Sequence, residues 1–240
     1  MLWLSDVMTT TAVRTEGVPL TDGGELRLTV AEPDGPVRGG VVVLQEARGV
    51  TDSIRLLVTG LAADGWLAVA PHLYRDAGAG GDLADGSDAA VAEHVGSLEP
   101  RQVMDDCDTA FGWLGDVGIE ADRMGVLGFD LGGTVALHVA ANRTLGAAIT
   151  VAGGGIESSS WSSLPALVET APELTCPWLG IYSEASDTDA VARLRDAAAS
   201  SGKATDVVVY PSTGYRFDDD PDSAAEAWQR VLNWFDAHLR

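Results

Sequence analysis

Gly125-Val126-Leu127-Gly128-Phe129-Asp130-Leu131-Gly132-Gly133 is the stretch whose reading decides the fold of this chain. An apolar run, Arg123 to Phe129, gives way to small residues from Gly132 to Ala141. That pattern predicts a buried strand, a sharp turn and a closely packed helix. The small residues around Asp130 permit a tight bend, one whose apex can lie in the left-handed backbone region. Asp130 holds the apex, and aspartate enters that region more readily than most residues. Its side chain is expected at the C-terminal end of the strand, where open α/β sheets bind ligands.

On both sides of this turn the same rhythm repeats. Glu25 to Val30 alternates polar and apolar residues in the manner of an edge strand, and Gly40 to Gln45 (GVVVLQ) reads as a buried one. Ser53 to Asp64 puts Ile54, Leu57, Val58 and Leu61 on one helical face, with Ser53 as the expected N-cap. Trp66 to Ala70 is a strand ended by Pro71, and Asp76 to Asp88, rich in Gly, Asp and Ala, reads as a surface loop. Pro100 to Val117 is a helix. Leu145 to Val151, Pro177 to Tyr182 and Asp206 to Tyr210 are strands, with an irregular excursion over Gly153 to Thr175. Asp189 to Ser200 and Asp222 to Arg240 are helices, the last carrying Trp228, Val231, Phe235 and Leu239 at helical spacing. Strands alternating with helices predict one α/β domain, a mostly parallel sheet with helices on both faces. Residues 1–19 are expected to be an N-terminal extension and residues 20–240 the domain.

The bulk numbers exclude several classes of function. Among 240 residues, 36 acidic side chains against 15 basic ones give a formal charge of −21. Such a field repels nucleic acids and anionic membranes. No apolar run reaches the ~20 residues of a membrane span. Residues Met1 to Val7 lack the basic and long apolar regions of a signal peptide, so a cytoplasmic location is expected, with Met1 and Met8 both candidate starts. Cys107 and Cys176 read as small buried hydrophobes of a reducing compartment. No cofactor is called for. Asp218-Asp219-Asp220 reads as acids suited to a helix N-terminus rather than a metal loop, and Gly153-Gly154-Gly155 as a plain turn.

Five segments in order carry a resemblance. Val43-Leu44-Gln45-Glu46-Ala47-Arg48-Gly49-Val50, Gly65 to Tyr74 (GWLAVAPHLY), Gly128-Phe129-Asp130-Leu131-Gly132-Gly133, Pro177 to Asp189, and Tyr210 to Phe217 are similar to the dienelactone hydrolase family. The resemblance runs from about Leu20 to the C-terminus and implies the α/β-hydrolase fold, with the Asp130 turn as its nucleophile elbow. Matched position by position, the family's nucleophilic cysteine falls at Asp130. Its triad acid falls at Ser186, with Asp187 next, and its histidine at Tyr215. His72 replaces a family aspartate. Glu46 is retained, as are the two amides expected to form an oxyanion hole, those of Ala47 and Leu131.

These replacements remove the ordinary esterase mechanism. A free phenol titrates near pH 10, so Tyr215 is no general base at neutral pH. Asp130 remains open as a nucleophile, since a carboxylate attacks without deprotonation, but water must then be activated to release the product. His72, at a strand end, is the histidine expected nearest the site. His138 reads as packing, and His94 and His238 as helix-surface residues. Glu46 and Asp130 are expected to face one another as a carboxylate pair sharing a proton, with Tyr215 as hydroxyl donor. The structural alternative has Asp130 bonding the oxyanion amides and capping the helix at Gly132. Three functions stay open: a degenerate-triad protein keeping a small-ligand pocket at the strand ends, lined by Ala47, Leu131, His72, Ser186 and Asp187; a hydrolase of small esters, lactones, epoxides or haloalkanes using Asp130; and an acidic subunit docking a basic protein partner.

Overall fold

A computed structural model describes residues 12–21, 23–75, 83, 86–159, 164–211, 214 and 220–239. Among these described residues eight strands form one sheet: β1 (Val13–Pro19), β2 (Glu25–Ala31), β3 (Gly40–Leu44), β4 (Leu67–Pro71), β5 (Met124–Phe129), β6 (Ala147–Val151), β7 (Trp178–Ser183) and β8 (Thr205–Tyr210), in spatial order β1-β2-β4-β3-β5-β6-β7-β8. Strand β2 runs antiparallel to both β1 and β4, and every pairing from β4 across to β8 is parallel. The helices are α1 (Asp52–Ala63), α2 (Asp88–Ser97), α3 (Pro100–Asp116), α4 (Leu131–Asn142), α5 (Leu167–Thr170), α6 (Thr188–Ala199) and α7 (Pro221–His238).

Both sheet faces are covered, which is why the central strands read as unbroken apolar runs. Successive side chains of β3 go to opposite faces: Val42 and Leu44 join the core beneath α3, α4 and α6, while Val41 and Val43 join the core beneath α1 and α7. Among the described residues no helix is long and apolar enough to cross a membrane, and no group of three or more His, Cys, Asp or Glu is placed to hold a metal. Cys107 and Cys176 are free and buried.

Several expectations are corrected. Residues 13–19 are not an extension but the outermost strand, paired along its length with β2, so β2 is not the edge. Helix α1 begins two residues early, with Thr51 rather than Ser53 as N-cap; the Thr51 hydroxyl turns away from the helix and donates to Glu46 Oε1 at 3.0 Å. Helix α2 begins at Asp88, where the Asp76 to Asp88 loop was expected to end, and fully buries none of its residues, with only Ala90, Val91, His94 and Val95 half-buried. Residues 76–82, 84 and 85 of that loop lie outside the described residues. The irregular excursion contains α5 and a 3-10 turn, Ala171–Glu173. Asp220 caps α7, its carboxylate accepting from the Ser223 amide at 3.4 Å.

Candidate active site

The elbow is built by backbone contact. Asp130 sits at φ 52° and ψ −111°, a conformation that is strained for a residue with a side chain. Helix α4 must begin against strand ends, and the glycines allow it. A Cβ on Gly128 would lie 1.9 Å from Gly132 O, and one on Gly132 would lie 2.4 Å from Leu44 O and 2.6 Å from Gln45 O. The start of α4 is also tied sideways: Trp178 Nε1 donates to Thr150 Oγ1 at 3.0 Å, and that hydroxyl donates to Gly133 O at 3.0 Å. The Asp130 amide donates to Val151 O at 2.9 Å, fixing the apex to the end of β6.

The contact between Gly132 and the end of β3 brings the following turn, Glu46 to Gly49, against the elbow. That turn closes through Gly49 N–H to Glu46 O at 2.9 Å, with Gly49 at φ 91°. Glu46 is 2% exposed and accepts the Thr51 hydroxyl. The amides of Ala47 and Leu131 donate to no acceptor among the described residues, and Asp130 makes no side-chain cap to α4. The expectation that Asp130 caps its own helix is therefore corrected. At φ 52° its side chain is carried off the path that an N-cap residue in extended conformation follows back to N2 and N3.

Two residues not singled out in the sequence brace this turn. Tyr74 donates its hydroxyl to Ala47 O at 2.6 Å. Burial, and after it the Asp130 carboxylate, pushes the Tyr74 phenol above its ordinary value, which puts Tyr74 beside both the elbow and the oxyanion turn. Arg48 holds the turn from outside, donating to Gly86 O at 2.8 Å, Leu83 O at 3.3 Å and Asp88 Oδ1 at 2.6 Å, while Arg48 O accepts from the Leu83 amide at 2.7 Å. Both stood within quoted motifs. Only their spatial partners reveal the role.

The other candidates are positioned as follows. Asp187 caps α6, accepting from the amides of Asp189 and Ala190 at 3.0 Å each, so its exposed carboxylate is engaged structurally. Ser186 lies in the turn before it, its amide bonded to Ser183 O at 3.0 Å. Tyr215 lies outside the described residues. His72 turns from the elbow toward β2: its Nε2 meets Thr29 Oγ1 at 2.8 Å, and burial with Arg27 and Arg55 lowers its pKa to about 4.

The remaining histidines are placed as follows. His138 is buried on α4 with Nδ1 3.3 Å from Thr170 Oγ1, its pKa lowered to about 4 by burial. His94 is half-buried rather than a surface residue, its ring edge-on to Tyr74 at 5.6 Å and Nδ1 on Ala90 O. His238 packs on Trp234 in the last turn of α7; the next residue, Leu239, touches Gly125 and Gly146, at the opposite end of the sheet from the elbow.

Comparison with known proteins agrees with this geometry. The dienelactone hydrolase family model matches residues 26–239. A Salmonella typhi protein named as a carboxymethylenebutenolidase is 34% identical over 206 residues, 81% of this chain and 76% of its own length. A Bradyrhizobium protein named as a 2-oxo-3-(5-oxofuran-2-ylidene)propanoate lactonase is 26% identical, covering 97% of this chain and 98% of its own. A crystal structure from Klebsiella pneumoniae, named as a dienelactone hydrolase, superposes with a TM-score of 0.81 at 31% identity, covering 93% of this chain and 98% of that one. From its second strand to the end of its last helix, this chain belongs to the dienelactone hydrolase family.

Proposed function

We propose that the elbow serves to bind a small carbonyl-bearing molecule, of lactone or ester type, without triad hydrolysis. The carrying observation is the backbone of Asp130. Strain of this kind, on the order of 1–3 kcal/mol, persists where a fold over-determines it, typically at ligand sites. Here it is retained while the triad's histidine position is Tyr215. The amides of Ala47 and Leu131 suit a carbonyl oxygen. The carboxylate of Asp130 suits a hydroxyl or N–H on the same ligand, with Glu46 assigned as its carboxylate neighbour and Tyr215 as a further hydroxyl donor. The lactone class follows from the names of the relatives. Location in the cytoplasm, and operation without cofactor or metal, belong to this reading.

A second reading rests on the same strained backbone: an elbow carboxylate is presented as a nucleophile would be. One experiment separates the two. Wild type and Asp130→Ala are screened against esters, butenolides, epoxides and haloalkanes, with thermal shift measured alongside. Binding without turnover, lost in Asp130→Ala, is expected. Turnover that Asp130→Ala abolishes, with oxygen from labelled water appearing in the Asp130 carboxylate after a single turnover, refutes the binding reading and establishes the nucleophile.

A further inference from the structure

The two edges of the sheet are made differently. At β8, Ala204 O and Tyr210 O accept from the β7 side, so the odd-numbered residues direct their backbone groups outward. The outward Val207 amide donates to Asp206 Oδ1 at 2.8 Å, and Val207 O accepts from Arg195 Nη2 at 3.1 Å. Side chains of the same chain thus close that edge at its middle. Strand β1 has no such closure among the described residues.

The register shows which groups of β1 face outward. Leu20 N–H donates to Gly24 O at 2.9 Å, and on the far side of β2 His72 N–H donates to Arg27 O at 2.9 Å. Even-numbered residues of β2 therefore bond toward β1, and their partners Arg14, Glu16 and Val18 bond inward. Val13, Thr15 and Gly17 direct their N–H and C=O groups away from the sheet. All three residues are exposed, and these groups have no hydrogen-bond partner among the described residues. Such an edge is a template for another strand.

The charges on β1 choose that strand. If a second copy pairs antiparallel about a two-fold axis, only outward residues can exchange backbone bonds. Centred on Thr15, the pairing sets Arg14 of each copy opposite Glu16 of the other. Centred one residue to either side, it sets Arg14 against Arg14 or Glu16 against Glu16, which is destabilising. Arg14 also holds Glu16 at 2.6 Å and Glu32 at 2.5 Å in its own chain, so the pairing joins two such clusters.

We propose that β1 is a homodimer edge: two copies pair β1 with β1, antiparallel about an axis at Thr15, through about six backbone hydrogen bonds. A contact limited to seven-residue strands falls below the ~1,200 Å² of stable interfaces, so the dimer dissociates in roughly the micromolar to millimolar range. Strands β2, β4 and β3 separate this edge from the elbow strand, so neither Asp130 nor its ligand is involved.

Sedimentation velocity of the full chain across that concentration range should show reversible dimerisation, unchanged in Asp130→Ala. Thr15→Pro removes an outward N–H that the β1–β2 ladder does not use, so it should keep the monomer's circular dichroism and lose the dimer. Arg14→Glu and Glu16→Arg should each weaken self-association by roughly tenfold. Mixed together they should associate again, since each then faces the opposite charge. Mild oxidation should link Thr15→Cys into a disulfide dimer, its Cα atoms about 5.5 Å apart across the axis, and leave Val13→Cys unlinked. The native Cys107 and Cys176 are buried and do not compete. A wild type that stays monomeric throughout, a Thr15→Pro that dimerises like wild type, a mixture no stronger than its components, or linkage through Val13→Cys in place of Thr15→Cys overturns the proposal.

Discussion

Replacing Arg75 with methionine tests how the site is held. Arg75 follows Tyr74, the residue that braces the oxyanion turn, and its Nε donates to Asp106 Oδ1 at 3.1 Å and Oδ2 at 3.2 Å, with Nη2 on Oδ1 as well. Asp106 lies on α3 with no exposure, and the Arg75 side chain is 21% exposed. Removing the cation leaves a buried carboxylate without its charge partner, a loss of about 3–5 kcal/mol. Because water reaches part of the Arg75 side, the lower end applies, about 3 kcal/mol. Unfolding entropy for 240 residues is about 0.5 kcal/mol per kelvin, so the melting temperature should fall by about 6 °C. Urea unfolding followed by tryptophan fluorescence measures the first quantity and calorimetry the second. Asp106→Leu in the Arg75→Met background should recover most of the loss, since two apolar groups replace an orphaned charge. A single variant within about 1 kcal/mol of wild type, or a double variant less stable than the single, refutes the assignment of a buried, mutually dependent pair.

Two further outcomes follow from the same geometry. His72 and His138 have pKa values lowered to about 4, so the unfolded chain takes up protons that the folded one refuses. Stability should therefore fall as pH drops from about 6.5 toward 4, by up to about 1.4 kcal/mol per pH unit per histidine; urea midpoints at pH 7, 6 and 5 should show a shallower slope in the His72→Gln/His138→Gln variant, and equal slopes would contradict the burial of neutral imidazoles. Gly132→Ala places a Cβ 2.4 Å from Leu44 O, while Gly96→Ala on α2 meets nothing within 4 Å. The first should destabilise by about 3 kcal/mol and the second stabilise by a few tenths to ~1 kcal/mol, read from denaturant midpoints.

What the sequence could convey depended on burial. Strands β3 to β7 were legible because both faces are covered and their residues had to be apolar. Strand β1 was not, since Val13–Pro19 lies exposed at the sheet edge and its pairing with β2 rests on backbone hydrogen bonds that any side chain permits. Helix α2 escaped for the same reason. It buries none of its residues fully, and its inner face is only the half-buried Ala90, Val91, His94 and Val95, too weakly apolar a stripe to stand out; the Ser87 cap and the Arg48 to Asp88 pair add anchors. The position of the elbow was legible. The role of Tyr74 was not, because its partner Ala47 is 27 residues away and pairs through a carbonyl that leaves no mark in the sequence.

That contrast bears on what the elbow is built to do. Gly128, Gly132 and Gly133 answer to backbone atoms that lie within 3 Å of any Cβ placed on them, whatever the chemistry at the turn. A reactive side chain answers to a reaction, and packing alone does not require it. Asp130 belongs to both sets: the packing demands a residue that tolerates φ 52°, and glycine would meet that demand with less strain. A carboxylate standing where glycine is the relaxed choice argues that the side chain itself is used. Asp130→Gly isolates that use: it should leave the fold intact, as the strain argument requires, and abolish ligand binding. If instead Asp130→Gly binds a lactone as well as wild type, the carboxylate serves only the backbone, and a ligand role must rest on the amides of Ala47 and Leu131 alone.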